Sequence, residues 1–93
     1  MLALIDEYDA RVRDGQRAYA LLDLARADMG SLRLSAARDS LEDAALIFAR
    51  LGDQRGRAAA EDILATLNRR VRIAAAALLA LVVGDGPEEA WGV

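Results

Sequence analysis

Side chains able to carry catalytic chemistry are few in this 93-residue sequence. It contains no His, Cys or Lys, the residues that most often serve as general base, nucleophile or Schiff-base former. Ser31 and Ser35 lie at a Gly-containing turn, where capping of a helix end is the favoured role for a serine. Because no nucleophile has a base placed to activate it, the sequence predicts that the protein is not an enzyme.

Carboxylates are plentiful, but their spacing favours neither a metal ion nor an acid–base pair. Neighbours such as Glu61-Asp62 point about 100° apart on a helix. The acidic cluster at 6–9 could bind a hard cation, but it lacks the spacing and the Gly of an EF-hand loop. Segment 52–56 lacks the Lys and the Ser or Thr of a phosphate-binding loop. We expect neither a metal nor any other cofactor.

The sharpest chemical contrast in the sequence is the basic cluster Arg69, Arg70 and Arg72, which directly precedes the uncharged apolar segment 73–83. The cluster could contact anionic lipid or acidic residues of a partner, although a solvated helix flank explains it as well. The eleven apolar residues are too few to cross about 30 Å of hydrocarbon, so we expect no membrane span.

Segment 73–83 is apolar on every side, and a helix of this kind is usually buried on every side. One chain of 93 residues has little mass with which to bury it. We therefore predict self-association, or docking on a partner protein, through this segment. The residues expected in that contact are Ile73, Leu78, Leu79, Leu81 and Val82.

The composition predicts one small all-α domain. Hydrophobic residues form 55% of the chain and aromatic residues only 4%, so the apolar content is mostly Ala and Leu, which favour helices over strands. A formal net charge of −3, mixed along the chain, argues against a nucleic-acid partner. The length allows a single helical domain over 1–84, followed by a C-terminal tail over 85–93.

Two further features bear on the source and location of the protein. All twelve basic residues are Arg, which is typical of translation from a GC-rich bacterial genome. The N-terminus lacks a basic region and a long apolar stretch before it becomes acidic at Asp6, so it does not resemble a signal peptide. We expect a cytoplasmic protein.

Apolar spacing and turn residues divide the chain into at least four helical segments. The first carries Met1, Ile5, Tyr8 and Val12 on one stripe and is expected to end at Asp14-Gly15. The second ends at Gly30-Ser31, where Gly would supply the left-handed residue of a helix end. The third starts near Ser35 as its N-cap and ends at Gly52-Asp53, which also caps the next helix.

The last segment, 57–83, contains neither Gly nor Pro. Its apolar residues alternate in steps of four and three, the a/d spacing of a short coiled-coil seam. Periodicity alone permits either one long helix or two helices with a break at 68–72, so the sequence predicts four to five helices in antiparallel hairpins. We expect the last helix to end at 84–87.

The stretch 19–60 resembles a tetratricopeptide repeat of the variant found in many bacterial regulators. That family places bulky and small residues at set positions on two successive helices and joins hairpins by a Gly-Asp turn, as at 52–53. Small residues let the two helices approach closely, and Leu24, Leu41 and Phe48 would fill the space between them. The corresponding positions are Leu21, Leu24, Ala25, Asp28, Ala37, Leu41 and Ala44, and Asp28 departs from the pattern because the family has an aromatic residue there.

The resemblance implies a concave groove that binds peptides, lined by the first helix of each hairpin. An aromatic residue, a Met and an Arg on one face have the composition of an interface centre. The alternative is that Leu22 and Met29 simply cover the neighbouring helix. The implied groove residues are Tyr19, Leu22, Arg26, Met29, Asp62, Thr66 and Arg69.

These features predict a non-catalytic protein–protein interaction module, acting as a scaffold for another copy of itself or for another polypeptide. A stable array normally needs three repeats, so a chain this short is expected to form a homodimer or to dock on a larger protein. The alternative is a structural subunit whose apolar C-terminal helix is permanently buried in a larger assembly.

Overall fold

The computed structural model describes the backbone over residues 2–91 and the side chains over residues 3–83. It contains three helices, α1 (Leu2–Gly30), α2 (Leu34–Leu51) and α3 (Gln54–Trp91), and no strand within the described backbone. The all-α class is therefore confirmed. The expected count of four to five helices is wrong, because two expected breaks do not occur.

The first missing break is at Asp14-Gly15, where α1 continues without interruption. A Gly in a helix interior costs only about 1 kcal/mol relative to Ala, which tertiary contacts readily offset. The chain makes such a contact nearby, since the Arg11 guanidinium donates a 3.0 Å hydrogen bond from Nη2 to the Leu51 carbonyl oxygen. That bond satisfies a carbonyl at the C-terminal end of α2 and places a cation there.

The second missing break is in the last segment, which forms one long helix. Residues 68–72 are helical throughout, and α3 also passes 84–87, where we expected it to end, and reaches Trp91. At its middle, the Asn68 Oδ1 accepts a 3.0 Å hydrogen bond from Arg38 Nη2 of α2, which ties the two helices together. The side chain of Trp91 lies outside the described residues.

The turns between the helices follow one hydrogen-bonding scheme with different residues. α2 ends at Leu51, as predicted from the Gly-Asp turn, and Gly52 takes the left-handed conformation with φ 71°. At the end of α1 the left-handed residue is Leu32, with φ 60°, and not Gly30. The Arg33 N–H then reaches the Asp28 carbonyl oxygen at 2.7 Å, closing the same motif.

The start of each later helix differs in its capping. Asp53 caps α3 as predicted, because its Oδ1 accepts a 3.0 Å hydrogen bond from the Gly56 N–H. The expected N-cap of α2 at Ser35 is wrong, since α2 begins at Leu34 and Arg33 precedes it without a side-chain cap.

The core lies where α2 packs against both other helices. Ala25, Ala37 and Ala44 are fully buried, so small residues do allow a close approach, as the repeat-like spacing predicted. Leu41 and Phe48 fill the space between the helices, whereas Leu24 is half exposed and does not. The buried core residues are Ala18, Leu22, Ala25, Met29, Ala37, Leu41, Ala44, Ile47, Phe48, Ala60 and Leu67.

α2 is much shorter than its two neighbours, and this determines the outline of the molecule. α1 and α3 each run past one end of α2, in opposite directions, which gives extents of 82 × 21 × 14 Å. The part of α3 beyond α2, residues 73–91, is called the arm below. At 1.5 Å per residue the arm is about 28 Å long.

Candidate interaction surface: the arm of α3

The described side chains of the arm, residues 73–83, have no contact with the hydrophobic core. Among the described side chains of α3, Val71 is the last that packs against the core, and every side chain from Arg72 to Val83 is exposed. The exposed large apolar side chains of the arm are Ile73, Leu78, Leu79, Leu81, Val82 and Val83. All five residues predicted for self-association are therefore accessible on one continuous helical segment.

One stripe of the arm continues the side of α3 that faces the core. In the described structure Leu67 is fully buried and Val71 half-buried, while Leu78 and Leu81 are exposed. Together with Ala74 these residues follow one another in steps of four, three, four and three, so they share one side of the helix. The same apolar seam therefore packs against α2 along the first half of α3 and is uncovered along the arm.

The basic cluster lies at the base of the arm. The side chains of Arg69, Arg70 and Arg72 are exposed, and none of them forms an ion pair with another described residue. Between this cluster and Gly84 the sequence has no charged residue. Three positive charges thus directly precede the arm, and its first eleven residues, 73–83, are uncharged and apolar.

A second surface lies between α1 and α3, where the repeat-like resemblance placed a groove. Arg26, Met29 and Thr66 line a shallow depression of about 350 Å³ there, beside Ile63 and Arg70. The structure thus brings together three of the seven expected groove residues. Arg26 also pairs with Asp23 of its own helix at 3.2 Å, so part of its charge is already balanced.

The other expected groove residues are not grouped in this depression. Leu22 is 2% exposed and Met29 only 7%, so burial favours the alternative in which these two residues cover the neighbouring helix. Asp62 and Arg69 are exposed but do not line the depression, and Tyr19 lies at the opposite end of the helices. The groove is therefore short and largely polar at its rim.

Tyr19 belongs to a separate cluster at the α2–α3 turn that the sequence alone did not predict. Its hydroxyl donates a 3.1 Å hydrogen bond to Asp53 Oδ2, and its ring packs edge-on against Phe48 with the centroids 4.9 Å apart. Asp53 could be recognised as a helix cap, but its contact with a residue 34 positions earlier had no sequence signal. The hydrogen bond to the Asp53 carboxylate, with desolvation, raises the pKa of Tyr19 above its ordinary value, against a smaller effect of Arg55.

Asp53→Asn should lower the pKa of Tyr19, because the substitution removes the negative charge and the charged acceptor that favour the neutral phenol. The Asn oxygen still accepts the bond from the Gly56 N–H, so the cap of α3 is retained. The measurement is an ultraviolet absorbance titration of tyrosine in a Tyr8→Phe background, which leaves Tyr19 as the single tyrosine. An identical titration curve with and without Asp53 would show that the hydrogen bond does not form in solution.

The free end of α1 carries a narrower apolar stripe. Leu4, Ile5, Tyr8 and Val12 are exposed, but acidic residues occupy the positions between them. Arg11, on the same part of α1, bonds to the Leu51 carbonyl oxygen of α2. This end of α1 is therefore amphipathic, while segment 73–83 of the arm is apolar on every side.

Comparison of the chain with protein-family models, curated proteins and solved structures found no match. Over the described residues, no three carboxylates come together in a way that could hold a metal ion. In the same part of the chain, no helix combines the length and the apolar content needed to cross a membrane. The properties of the arm itself are thus the main basis for assigning a role.

Proposed function

We propose that this protein is a non-catalytic protein–protein interaction module that binds a polypeptide, either another copy of itself or another protein, on the arm of α3. The observation that carries this proposal is the complete exposure of the apolar residues 73–83. Contiguous exposed apolar surface on a folded chain marks an interaction site, because burying it against a partner is favourable.

The proposal extends to the architecture, a tetratricopeptide-like stack of helical hairpins. Three features support it: α1 and α2 form a hairpin, α3 packs on α2 as the first helix of a next hairpin would, and buried Ala residues lie between the helices. In such a stack the seam of α3 would be covered by a further helix. The uncovered arm is then the place where a partner helix completes the stack.

An alternative in the same class of non-enzymatic proteins is a structural subunit of a larger assembly. The exposure of apolar side chains around the whole arm, and not only along the seam, favours it. One partner helix covers one side, so complete burial of the arm needs several neighbouring helices. In that case the arm would be buried permanently and the isolated chain would aggregate.

The substitution Leu78→Asp tests whether the arm is an interaction surface. We expect the 10.0 kDa wild-type chain to self-associate in light scattering or to bind an apolar dye such as anilinonaphthalene sulfonate. Leu78→Asp should abolish or strongly reduce this behaviour, because a carboxylate on the seam cannot be desolvated without a partner charge. A chain that only aggregates, and becomes monodisperse with Leu78→Asp, favours the permanent subunit.

Leu46→Asp is the matched control, because Leu46 lies on the outer side of α2 and is 64% exposed, as is Leu78. This variant introduces the same charge in a helix of the same chain and should leave association and dye binding unchanged. A wild-type chain that is a 10.0 kDa monomer and binds no dye would contradict the proposal, since its arm would then be stable in water.

A further inference from the structure

We propose that the occupant of the arm is the arm of a second copy of this chain, packed antiparallel so that the two seams meet. This inference rests on the proposed function and specifies its partner and its geometry. It is carried by two observations: the seam of the arm continues an antiparallel interface already present in the chain, and the charges along the arm are arranged in a self-complementary order.

The existing interface sets the direction of the partner helix. α2 runs antiparallel to α3, since the short 52–53 turn joins them, and the seam residues Ala60 and Leu67 of α3 are buried in the core that the two helices share. Arg38, in the second turn of α2, bonds to Asn68 of α3, and Val71, one turn further along α3, is the last described residue of that helix packed against the core. Coverage of the seam therefore stops where α2 begins. A second antiparallel helix on the arm would therefore continue the line of α2 along the same stripe.

The order of charges in the sequence is complementary only for the antiparallel pairing. Positive charges occur at Arg69, Arg70 and Arg72, and negative charges at Asp85, Glu88 and Glu89, with the apolar segment 73–83 between the two groups. Arg70 precedes Leu79 by nine residues and Glu88 follows it by nine. Two antiparallel arms that cross near Leu79 therefore bring the basic end of each beside the acidic end of the other, at both ends of the contact.

A parallel pair has two disadvantages. It places the Arg cluster of one chain beside the Arg cluster of the other, and likewise the two acidic ends, which is repulsive. It also brings the two three-helix bodies to the same end of the pair, on the side of α3 where α2 already lies. The antiparallel pair separates the bodies by the length of the arms, about 28 Å.

Charge reversal at each end of the arm, separately and together, tests the pairing. We expect R69E/R70E and E88R/E89R each to weaken dimerisation on the order of tenfold in sedimentation equilibrium, since attractive flanking pairs become repulsive. The variant with all four substitutions should recover affinity close to wild type, because each reversed end then meets a reversed partner. Mixing the two double variants should likewise form heterodimers more tightly than either forms homodimers.

R13E/R17E changes the net charge by the same amount as R69E/R70E and is its control, because Arg13 and Arg17 are exposed residues of α1, outside the arm. It should dimerise as the wild type does, and circular dichroism should show the same helix content for all variants.

The possible failures point to different conclusions. If Leu78→Asp abolishes association but the variant with all four charge reversals shows no recovery, the antiparallel pairing is wrong, while the assignment of the arm as an interaction surface is retained. A wild-type chain that stays a monomer yet binds apolar dye through the arm contradicts the proposed pairing of two arms, but not the proposed interaction surface. If association and dye binding are both absent, the proposed function fails as well.

Discussion

Phe48→Ala should lower the free energy of unfolding by about 3–5 kcal/mol, the range for deleting a fully buried aromatic side chain. Phe48 is fully buried and is the residue at which all three helices meet: its ring receives the edge of Tyr19 from α1 and lies against Gly56 of α3. Truncation removes these contacts and leaves a cavity that rigid helices can only partly close. Urea unfolding followed by circular dichroism measures the loss.

A loss of this size is a large part of the stability of a small domain, so Phe48→Ala could leave the chain unfolded. Phe48→Leu keeps most of the side-chain volume and should show a smaller loss of the same sign, which can be measured in a folded chain. Leu46→Ala is the control, because Leu46 is on the same helix but 64% exposed, and should change stability by no more than about 0.5 kcal/mol. Equal losses at Leu46 and Phe48 would show that the core is not where the structure places it.

The fold class and the position of the core could be predicted from the sequence, because both depend on local patterns. The Ala- and Leu-rich composition favours helices, and the spacing of Ala37, Leu41, Ala44 and Phe48 marks the buried side of α2 directly. The turn at Gly52 was equally visible, since only Gly takes the left-handed conformation without strain. In these places local preference and tertiary packing agree.

The prediction failed where tertiary contacts override a local preference. Gly15 was expected to end α1, but the helix continues because its second half has a partner in α2 and because Arg11 ties the helix to Leu51. At Leu32 a residue with a side chain takes the left-handed conformation that Gly30 was expected to supply. The hydrogen bonds of the whole turn determine which residue is left-handed, and no single residue type predicts it.

The candidate site shows the same division. The apolar segment 73–83 was identified from composition alone, because uniform apolarity needs no knowledge of the fold. The prediction of the groove residues depended on which side of α1 faces its neighbours. The spacing of the apolar residues did not determine this, so Leu22 and Met29 could either line a groove or cover the next helix. The structure resolves it by burying Leu22 and Met29. The extension of the arm beyond α2 could not be predicted either, because it depends on the relative lengths of α2 and α3.

Gly56 offers the clearest test of how closely α2 and α3 approach each other. Gly56 is buried in the first turn of α3, and a Cβ atom built on it would overlap the ring of Phe48. Gly56→Ala should therefore lower the free energy of unfolding by about 1–3 kcal/mol, because the ring or the helix must move to admit one methyl group. The loss would occur even though Ala is the better helix former.

Gly15→Ala is a control that should have the opposite sign. Gly15 is also inside a helix, but a Cβ there would meet only the Leu51 Cδ1 at 3.8 Å, an ordinary van der Waals contact. The substitution should stabilise the chain by about 0.5–1 kcal/mol, through helix propensity and a less flexible unfolded chain. Two glycines of one chain, given the same methyl group, are thus expected to respond in opposite directions.

A double-mutant cycle shows whether the overlap with Phe48 is the cause of the loss. In a Phe48→Leu background the side chain at 48 is smaller and more adaptable, so Gly56→Ala should cost less than in the wild type, with a coupling of about 0.5–3 kcal/mol. Gly15→Ala should give the same gain in both backgrounds, because Gly15 meets Leu51 and not Phe48. If Gly56→Ala were stabilising, as Gly15→Ala is expected to be, α2 and α3 would have to lie farther apart than in this structure, and the seam they form could not serve as the template for the arm.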